Sequence, residues 1–425
     1  MLLKTCLHSA AAALAMLGVF TAPVRGNESD CVSSFDATAD YFPDKVESKY
    51  GSGFNITYTG NAKYIRNNIS GETYVLYQCG TPVPADARAT PADSLQVGNW
   101  TKVAAVPGAR IVLDSAPASA ALELLGLQDV VAASYHNFVV TSACMQKRLA
   151  SLPRIQQRFD TTNRRRRRRS AGLVPRVAYD LADTNLQWTF TTYGMNDQRS
   201  FAVNPEGASD MLGKAEWIKF VAAFFNKEAE ANKIFADIES RYASTKKSLA
   251  ATTGKTLGIA RYNKMANGTI AGWTIEKPEQ WAVAGLADAG VAAFTDGPAS
   301  FSSTGRFFDA TSRWDILIDR SAEPLLHGGA VLPEWSNLVA GYGFNSSSSS
   351  SAAPAYLAAK AVYRSDRISS YQNATDYDEH LQIRPDLLLE DYGHLAAAAS
   401  GATNTTWYRN MPLGIRVNWV SADDC

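Results

Sequence analysis

Cysteine and histidine are scarce, five of each among 425 residues. No C-x-x-C pair, no Cys/His zinc spacing and no H-E-x-x-H helix is present, so a dedicated transition-metal centre is not expected. Neither sign of charge is in excess: 41 Lys and Arg face 41 Asp and Glu. That balance excludes the basic surface with which a nucleic-acid binder neutralises phosphates. With 29 glycines and 46% hydrophobic residues the chain is neither collagen-like nor disordered. After the first 20 residues no apolar run reaches the ~18 residues needed to cross a bilayer. The G-x-S-x-G elbow, the G-x-x-x-x-G-K-[ST] phosphate loop and the G-x-G-x-x-G fingerprint are also missing. Catalysis would then need a carboxylate pair across a cleft, and pairs such as Glu123 and Asp129 read as helix or loop surface.

What is present points to export. Lys4 and His8 precede the apolar stretch Ala10 to Phe20, followed by Thr21, Ala22 and Pro23. This is the layout of a secretory signal peptide over residues 1–26, with cleavage expected after Gly26 or, second, after Ala22. Eight N-glycosylation sequons, at Asn27, Asn55, Asn68, Asn99, Asn267, Asn345, Asn373 and Asn404, exceed the roughly three expected by chance. The mature chain keeps Cys31, Cys79, Cys144 and Cys425, enough for two disulfides in an oxidising compartment. Three connectivities are open; Cys31 with Cys425 would tie the ends and Cys79 with Cys144 would staple the first lobe.

Residues 27–99 form a β-rich segment and linker: Val46 to Tyr50, Phe54 to Tyr58, Ala62 to Ile65 and Thr73 to Gln78 are β-branched or aromatic and broken by Gly and Asn. From residue 100 the rhythm changes to short apolar runs alternating with helical patterns, as in βαβ units. Residues 100–209 are assigned to a first α/β lobe and 251–425 to a second. Between them, 210–250 carries Ile218, Val221, Phe225, Ala231, Phe235, Ile238 and Tyr242 at helical spacing, without proline. Unbroken, such a helix is about 60 Å long, so it must bend or span both lobes. The fold class expected is α/β: two Rossmann-like lobes joined by one long helix. Two insertions, Arg164 to Arg169 and Ser346 to Ser351, read as solvated loops; the arginine run also fits a processing protease.

Segment by segment the chain resembles class III periplasmic solute-binding proteins, the Fe-siderophore/vitamin B12 binding fold. The run GKAEWIKFVAAFFNKEAEANKIFADIESRY (213–242) is similar to that family's linking helix. ARIVLDSAPASAALELLGLQDVVAAS (109–134) is similar to its opening strand–helix–strand, RFFDATSRWDILID (306–319) to a unit of its second lobe, and RPDLLLEDYGHL (384–395) to its closing helix–strand unit. The resemblance implies a ligand cleft between lobes, an iron chelate or corrinoid as ligand, and docking to a membrane uptake system through one acid per lobe. Asp309 falls at the position of the second lobe's acid, and no residue matches the first lobe's.

Open α/β sheets bind ligands outside the carboxyl ends of their strands. That rule selects Ser115, Tyr135 and His136 in the first lobe and Arg261 and Tyr262 in the second, with Trp273 and Arg306 in following loops. Arginine grips anionic oxygen in a planar, bidentate way, while Tyr and Trp supply flat walls with a polar edge. The acidic run Asp376, Asp378, Glu379, His380 reads as a solvated loop rather than a metal site. The expectation is a secreted, monomeric glycoprotein, not an enzyme, that binds a small iron-siderophore-type chelate without a tightly held cofactor. A secreted hydrolase acting through cleft carboxylates and a ligand-free structural glycoprotein are the alternatives.

Overall fold

A computed structural model describes residues 31–87, 101–135, 140–152, 154–155, 157–159, 177–179, 186–192, 199–249, 254–265, 267–324, 330–344, 354–398 and 400–425. No helix among them is long and apolar enough to cross a membrane. Both insertions lie outside the described residues.

The first sheet is a meander closed by a parallel strand. β1 (Phe54–Thr59), β2 (Ala62–Asn67) and β3 (Thr73–Gln78) are antiparallel in that order, and β4 (Thr101–Val106) pairs β3 in parallel. The stretch 102–106 therefore belongs to this sheet and not to the first lobe. Val46 to Tyr50, expected as a strand, has no sheet partner because the amides of Lys49 and Tyr50 are taken by the Glu216 carboxylate at 2.7–3.0 Å. The inner face of the sheet is aromatic. Phe54 meets Trp217 edge-on at 5.3 Å, and Tyr74 meets Phe201 at 5.1 Å, which fixes the sheet to the first lobe.

The first-lobe sheet holds β5 (Ile111–Asp114), β6 (Val131–Tyr135), β7 (Arg154–Ile155), β8 (Trp188–Thr191) and β9 (Ser200–Ala202). Its order is β9-β8-β5-β6-β7, all parallel. β5 opens with the apolar run Ile111-Val112-Leu113 and β8 is buried at all four positions, Thr189 and Thr191 included, because parallel strands are covered on both faces. The helices here are α1 (Ala116–Leu124) and α2 (Ala143–Ala150), each capped by a serine hydroxyl, Ser115 and Ser142.

The expected connecting rod is broken. Residues 210–250 form α3 (Met211–Ala215), α4 (Trp217–Ala223) and α5 (Glu228–Ser248). The break after α4 has a cause. Asn226 adopts a left-handed φ of 53°, and the buried Lys63 ammonium binds the Ala223 carbonyl at 2.6 Å, Asn226 Oδ1 at 2.8 Å and the Glu228 carboxylate at 2.5 Å. Hydrogen bonding to an outside cation replaces the helix's own at that point. α5 spans only about 32 Å at 1.5 Å per residue. It packs on α4 on one side and on α11 of the second lobe on the other.

The second-lobe sheet is mixed. β10 (Thr256–Lys264), β13 (Ile316–Asp319) and β14 (Val362–Arg364) are parallel, while β11 (Ile270–Glu276), β12 (Ala299–Phe301) and β16 (Arg409–Asn410) run antiparallel to their neighbours. The order is β12-β11-β10-β13-β14-β16, with Ala292–Ala293 pairing the start of β10. Around it lie α6 (Gln280–Asp288), α7 (Thr304–Thr311), α8 (Trp335–Tyr342), α9 (Ala355–Ala358), α10 (Asp376–His380) and α11 (Pro385–Ala397). β15 (Ile368–Ser370) and β17 (Asn418–Val420) form a separate parallel ribbon. The α/β class with two lobes stands as expected.

The disulfides are Cys31–Cys79 and Cys144–Cys425. The two pairings named from sequence are both corrected. Val32 N bonds the Cys79 carbonyl at 3.0 Å, holding the amino end on the first sheet. The carboxyl end instead follows β17 across to α2, where Cys425 meets Cys144.

Candidate functional site

The strand order in the first lobe reverses between β5 and β8, and such a switch point opens a crevice at the carboxyl ends. Asp114 ends β5 there, opposite Thr191. Burial pushes its carboxyl up to about 7. The strand-end rule selects Ser115, the residue after Asp114, at this edge. Ser115 is buried, and its hydroxyl is used as the α1 cap, accepting from Ala118 N at 3.3 Å. Tyr135 closes β6, but its side chain and all of His136 lie outside the described residues.

In the second lobe the carboxyl ends of β13 and β14 carry a buried charge network that sequence reasoning missed. Arg364 bonds Asp319, and its Nε donates to Asp366 Oδ2 at 2.7 Å. Arg409 donates to both Asp366 oxygens at 2.8 and 3.0 Å. Tyr342 and Ser321 donate to Asp319 Oδ1 at 2.6 and 2.5 Å. Paired and hydrogen-bonded on every side, these charges make a fixed floor and not a free anion trap.

Free guanidinium surface lies just beyond that floor. Arg261 Nη1 is 3.0 Å and Arg320 Nη1 3.7 Å from opposite oxygens of Glu276, and the two side chains are 49% and 46% exposed. Arg320 also reaches Tyr377, whose ring packs near Tyr408 at 5.8 Å, with Tyr392 stacked behind at 6.2 Å. Burial pushes all three phenols up, so they remain protonated donors at neutral pH. Arg320 had not been singled out; it follows the strand end of β13, where the same rule would have found it.

Other expected residues fall elsewhere. Tyr262 is core: it packs edge-on to Tyr342 at 5.3 Å and fills the space beside Gly341, where a Cβ would come within 2.5 Å of its ring. Trp273 is half-buried, donates Nε1–H to the Gly341 carbonyl at 3.0 Å and stacks on Phe307. Arg306 and Asp309 are exposed on α7. The exposed asparagines Asn55, Asn68, Asn267, Asn373 and Asn404 occupy surface positions, and Asn27, Asn99 and Asn345 lie outside the described residues.

The acidic run is not a solvated loop. It forms α10, wedged between the lobes. Glu379 is 3% exposed and accepts from Thr141 N at 2.6 Å, Thr141 Oγ1 at 2.5 Å, Ser142 N at 3.3 Å and Ser119 Oγ at 2.9 Å, all in the first lobe. His380 lies 2.9 Å from Asp376 through Nδ1 and 3.3 Å from Glu123 through Nε2. Asp376 in turn accepts from Trp407 Nε1 at 2.7 Å. Burial works to lower the His380 pKa, yet the Asp376 and Glu123 carboxylates, which accept from its ring nitrogens, outweigh it and hold the ring at about 10. Glu123, Glu379 and His380 bring three ligand-type atoms within 4.8 Å, alone among the described residues. First-lobe donors already occupy the Glu379 oxygens, and Glu123 faces His380 Nε2 while Asp376 faces Nδ1 as an ion pair, so the cluster reads as an ionic latch.

A groove of about 340 Å³ lies between α5 and α11, lined by Arg241, Asp386, Glu390 and His394 among others. None of the residues singled out from sequence borders it.

No family model and no curated protein matches the chain. Solved structures similar to it include a periplasmic heme-binding protein from Pseudomonas aeruginosa, at 12% identity and TM-score 0.46 over 72% of this chain and 98% of that one. A petrobactin-binding protein from Bacillus subtilis is similar at 12% identity and TM-score 0.44, over 68% and 92%. A periplasmic vitamin B12 binding protein from Vibrio cholerae gives 10% identity and TM-score 0.40, over 69% and 98%.

Proposed function

We propose that this chain is a secreted, N-glycosylated solute-binding protein that takes a small anionic ligand, of the iron–siderophore type, between its two lobes. One observation carries the reading: the carboxyl ends of both sheets converge on α10. The first lobe reaches it through Ser119, Thr141 and Ser142, and the second through Arg320 at Tyr377. Two half-exposed arginines share a single carboxylate at that convergence, leaving guanidinium donors for an anionic guest. Segment resemblance to class III solute-binding proteins supports the same ligand class, and Asp309 on the exposed face of α7 is the residue for docking to a membrane uptake system.

The experiment is a fluorescence titration of the purified secreted protein with ferric catecholate and ferric hydroxamate chelates, alongside native mass spectrometry of protein from its own source. A one-to-one complex is expected, weakened about tenfold or more by Arg320→Ala or Arg261→Ala, in line with loss of a charge-assisted bond. Unchanged affinity in both variants overturns the site, and absence of any retained or added ligand overturns the function.

A further inference from the structure

Tyr371 and Trp419 are large apolar side chains left 68% and 39% exposed, and they stack on each other at 5.4 Å and 15°. Stacked, the two rings form a small contiguous apolar patch at the surface. Tyr371 sits at the tip of a tight turn: Asn373 N donates to the Ser370 carbonyl at 2.8 Å, Ser370 N donates to the Ala374 carbonyl at 2.9 Å, and Asn373 has φ 64°. Ser369 bridges Thr375 across the base of the turn and pairs Trp419 on its other side. Asn373, Ala374 and Thr375 form one of the sequons, with the acceptor asparagine exposed two residues after the tyrosine. Two residues of chain span at most about 7 Å. A sugar attached at Asn373 therefore starts within reach of the ring. The asparagines at 55, 68 and 404 have Gly53, Arg66 and Ala402 at the same offset, none of them an aromatic.

We propose that Asn373 carries an N-linked glycan whose first N-acetylglucosamine lies on the exposed Tyr371 ring beside Trp419. The sugar presents a face of C–H bonds that matches the electron-rich face of an aromatic ring. In the transfer, the Asn373 amide nitrogen bonds to C1 of the sugar, the C1–O bond to a lipid-pyrophosphate donor breaks, and the amide proton leaves to solvent. The proposal rests on the secretory half of the proposed function and is independent of the ligand.

The test uses full-length protein secreted from a eukaryotic cell line. Glycopeptide mass spectrometry reads occupancy at Asn373, and thermal melting compares four proteins: wild type, Asn373→Gly, Tyr371→Ala and the double variant. Glycine keeps the left-handed turn and removes only the acceptor. Asn373→Gly is expected to lower Tm by about 1 °C in the wild-type background and to leave it unchanged in the Tyr371→Ala background. Trimming the glycan to its first sugar leaves wild-type Tm where it was. An unoccupied Asn373 in a protein glycosylated elsewhere overturns the proposal, as does an equal shift in both backgrounds. A protein with no glycan at any sequon overturns the secretory reading instead.

Discussion

Removing the Glu379 carboxylate should open the contact between the lobes. Four donors of the first lobe converge on it, three at Oε2 and one at Oε1. Glu379→Gln keeps an acceptor for the three, and the single Ser119 hydroxyl can turn to accept from the new amide. Its cost is the lost charge assistance, about 1–2 kcal/mol. Glu379→Ala is different in kind. It strands the buried amides of Thr141 and Ser142, which cannot rotate away, at about 1–3 kcal/mol each, and adds a void beside α1. A total of about 3–5 kcal/mol is expected, the range seen when one partner of a buried charged contact is removed. Urea unfolding followed by tryptophan emission gives the stability difference, and hydrogen exchange at Thr141 and Ser142 locates it. The reasoning is refuted if the alanine variant loses less than about 1 kcal/mol, or if glutamine costs as much as alanine.

Two further outcomes concern pH. The folded pKa of His380, about 10, lies above its ordinary value of 6.5, so its stabilisation is complete below about 6.5 and disappears as pH rises through 10. The urea-midpoint gap between wild type and His380→Gln, worth about 3 kcal/mol at pH 6, should close by pH 10.5; a constant gap refutes the charged latch formed with Asp376, Glu123 and Glu379. The Asp114 carboxyl is raised from 3.8 to about 7, so the folded state loses stability as pH climbs through that window. Asp114→Asn should match wild type near pH 4 and exceed it by about 1–2 kcal/mol at pH 8, a value discounted for partial solvent screening; equal stability at pH 8 refutes the desolvated carboxylate.

Alternation of strands and helices, and therefore the two lobes, was legible in the sequence because runs such as Ile111-Val112-Leu113 and Ile316-Leu317-Ile318 are apolar on both faces. The rod was not, because its break depends on a cation from another element. Lys63 lies about 160 positions before the carbonyl it takes, and no local pattern reveals that. α10 failed for a related reason. Asp376, Asp378, Glu379 and His380 look solvated in composition; Asp378 is indeed exposed, and only tertiary contact with Ser119 and Thr141 shows Glu379 and Asp376 held against the first lobe. A trace did exist: Asp376 and His380 stand four apart behind the capping Thr375, the spacing of an ion pair on a helix. At the strand ends the positional rule selects Tyr262 and Ser115 by residue type, whereas packing puts the Tyr262 ring in the core against Tyr342 and uses the Ser115 hydroxyl as a helix cap.

With the rod broken, the connections between the lobes among the described residues include α3 against α6, where Lys214 lies over the Trp281 ring, and three others. α5 packs on both lobes, α10 is latched to the first lobe through Glu379, and the carboxyl end is bound to α2 by Cys144–Cys425. The disulfide closes a loop of 281 residues, which in the chain-entropy picture restricts the unfolded state by roughly 5.6 kcal/mol. It also draws β17, with Trp419, against β15, where Gln146 of α2 donates to the Val420 carbonyl at 3.2 Å. Hinge opening would have to break the latch while the disulfide held. On the proposed function, a guest between the lobes would rely on motion of side chains such as Arg261 and Arg320, and an anionic chelate that displaces Glu276 from both arginines would need no change of lobe angle at all.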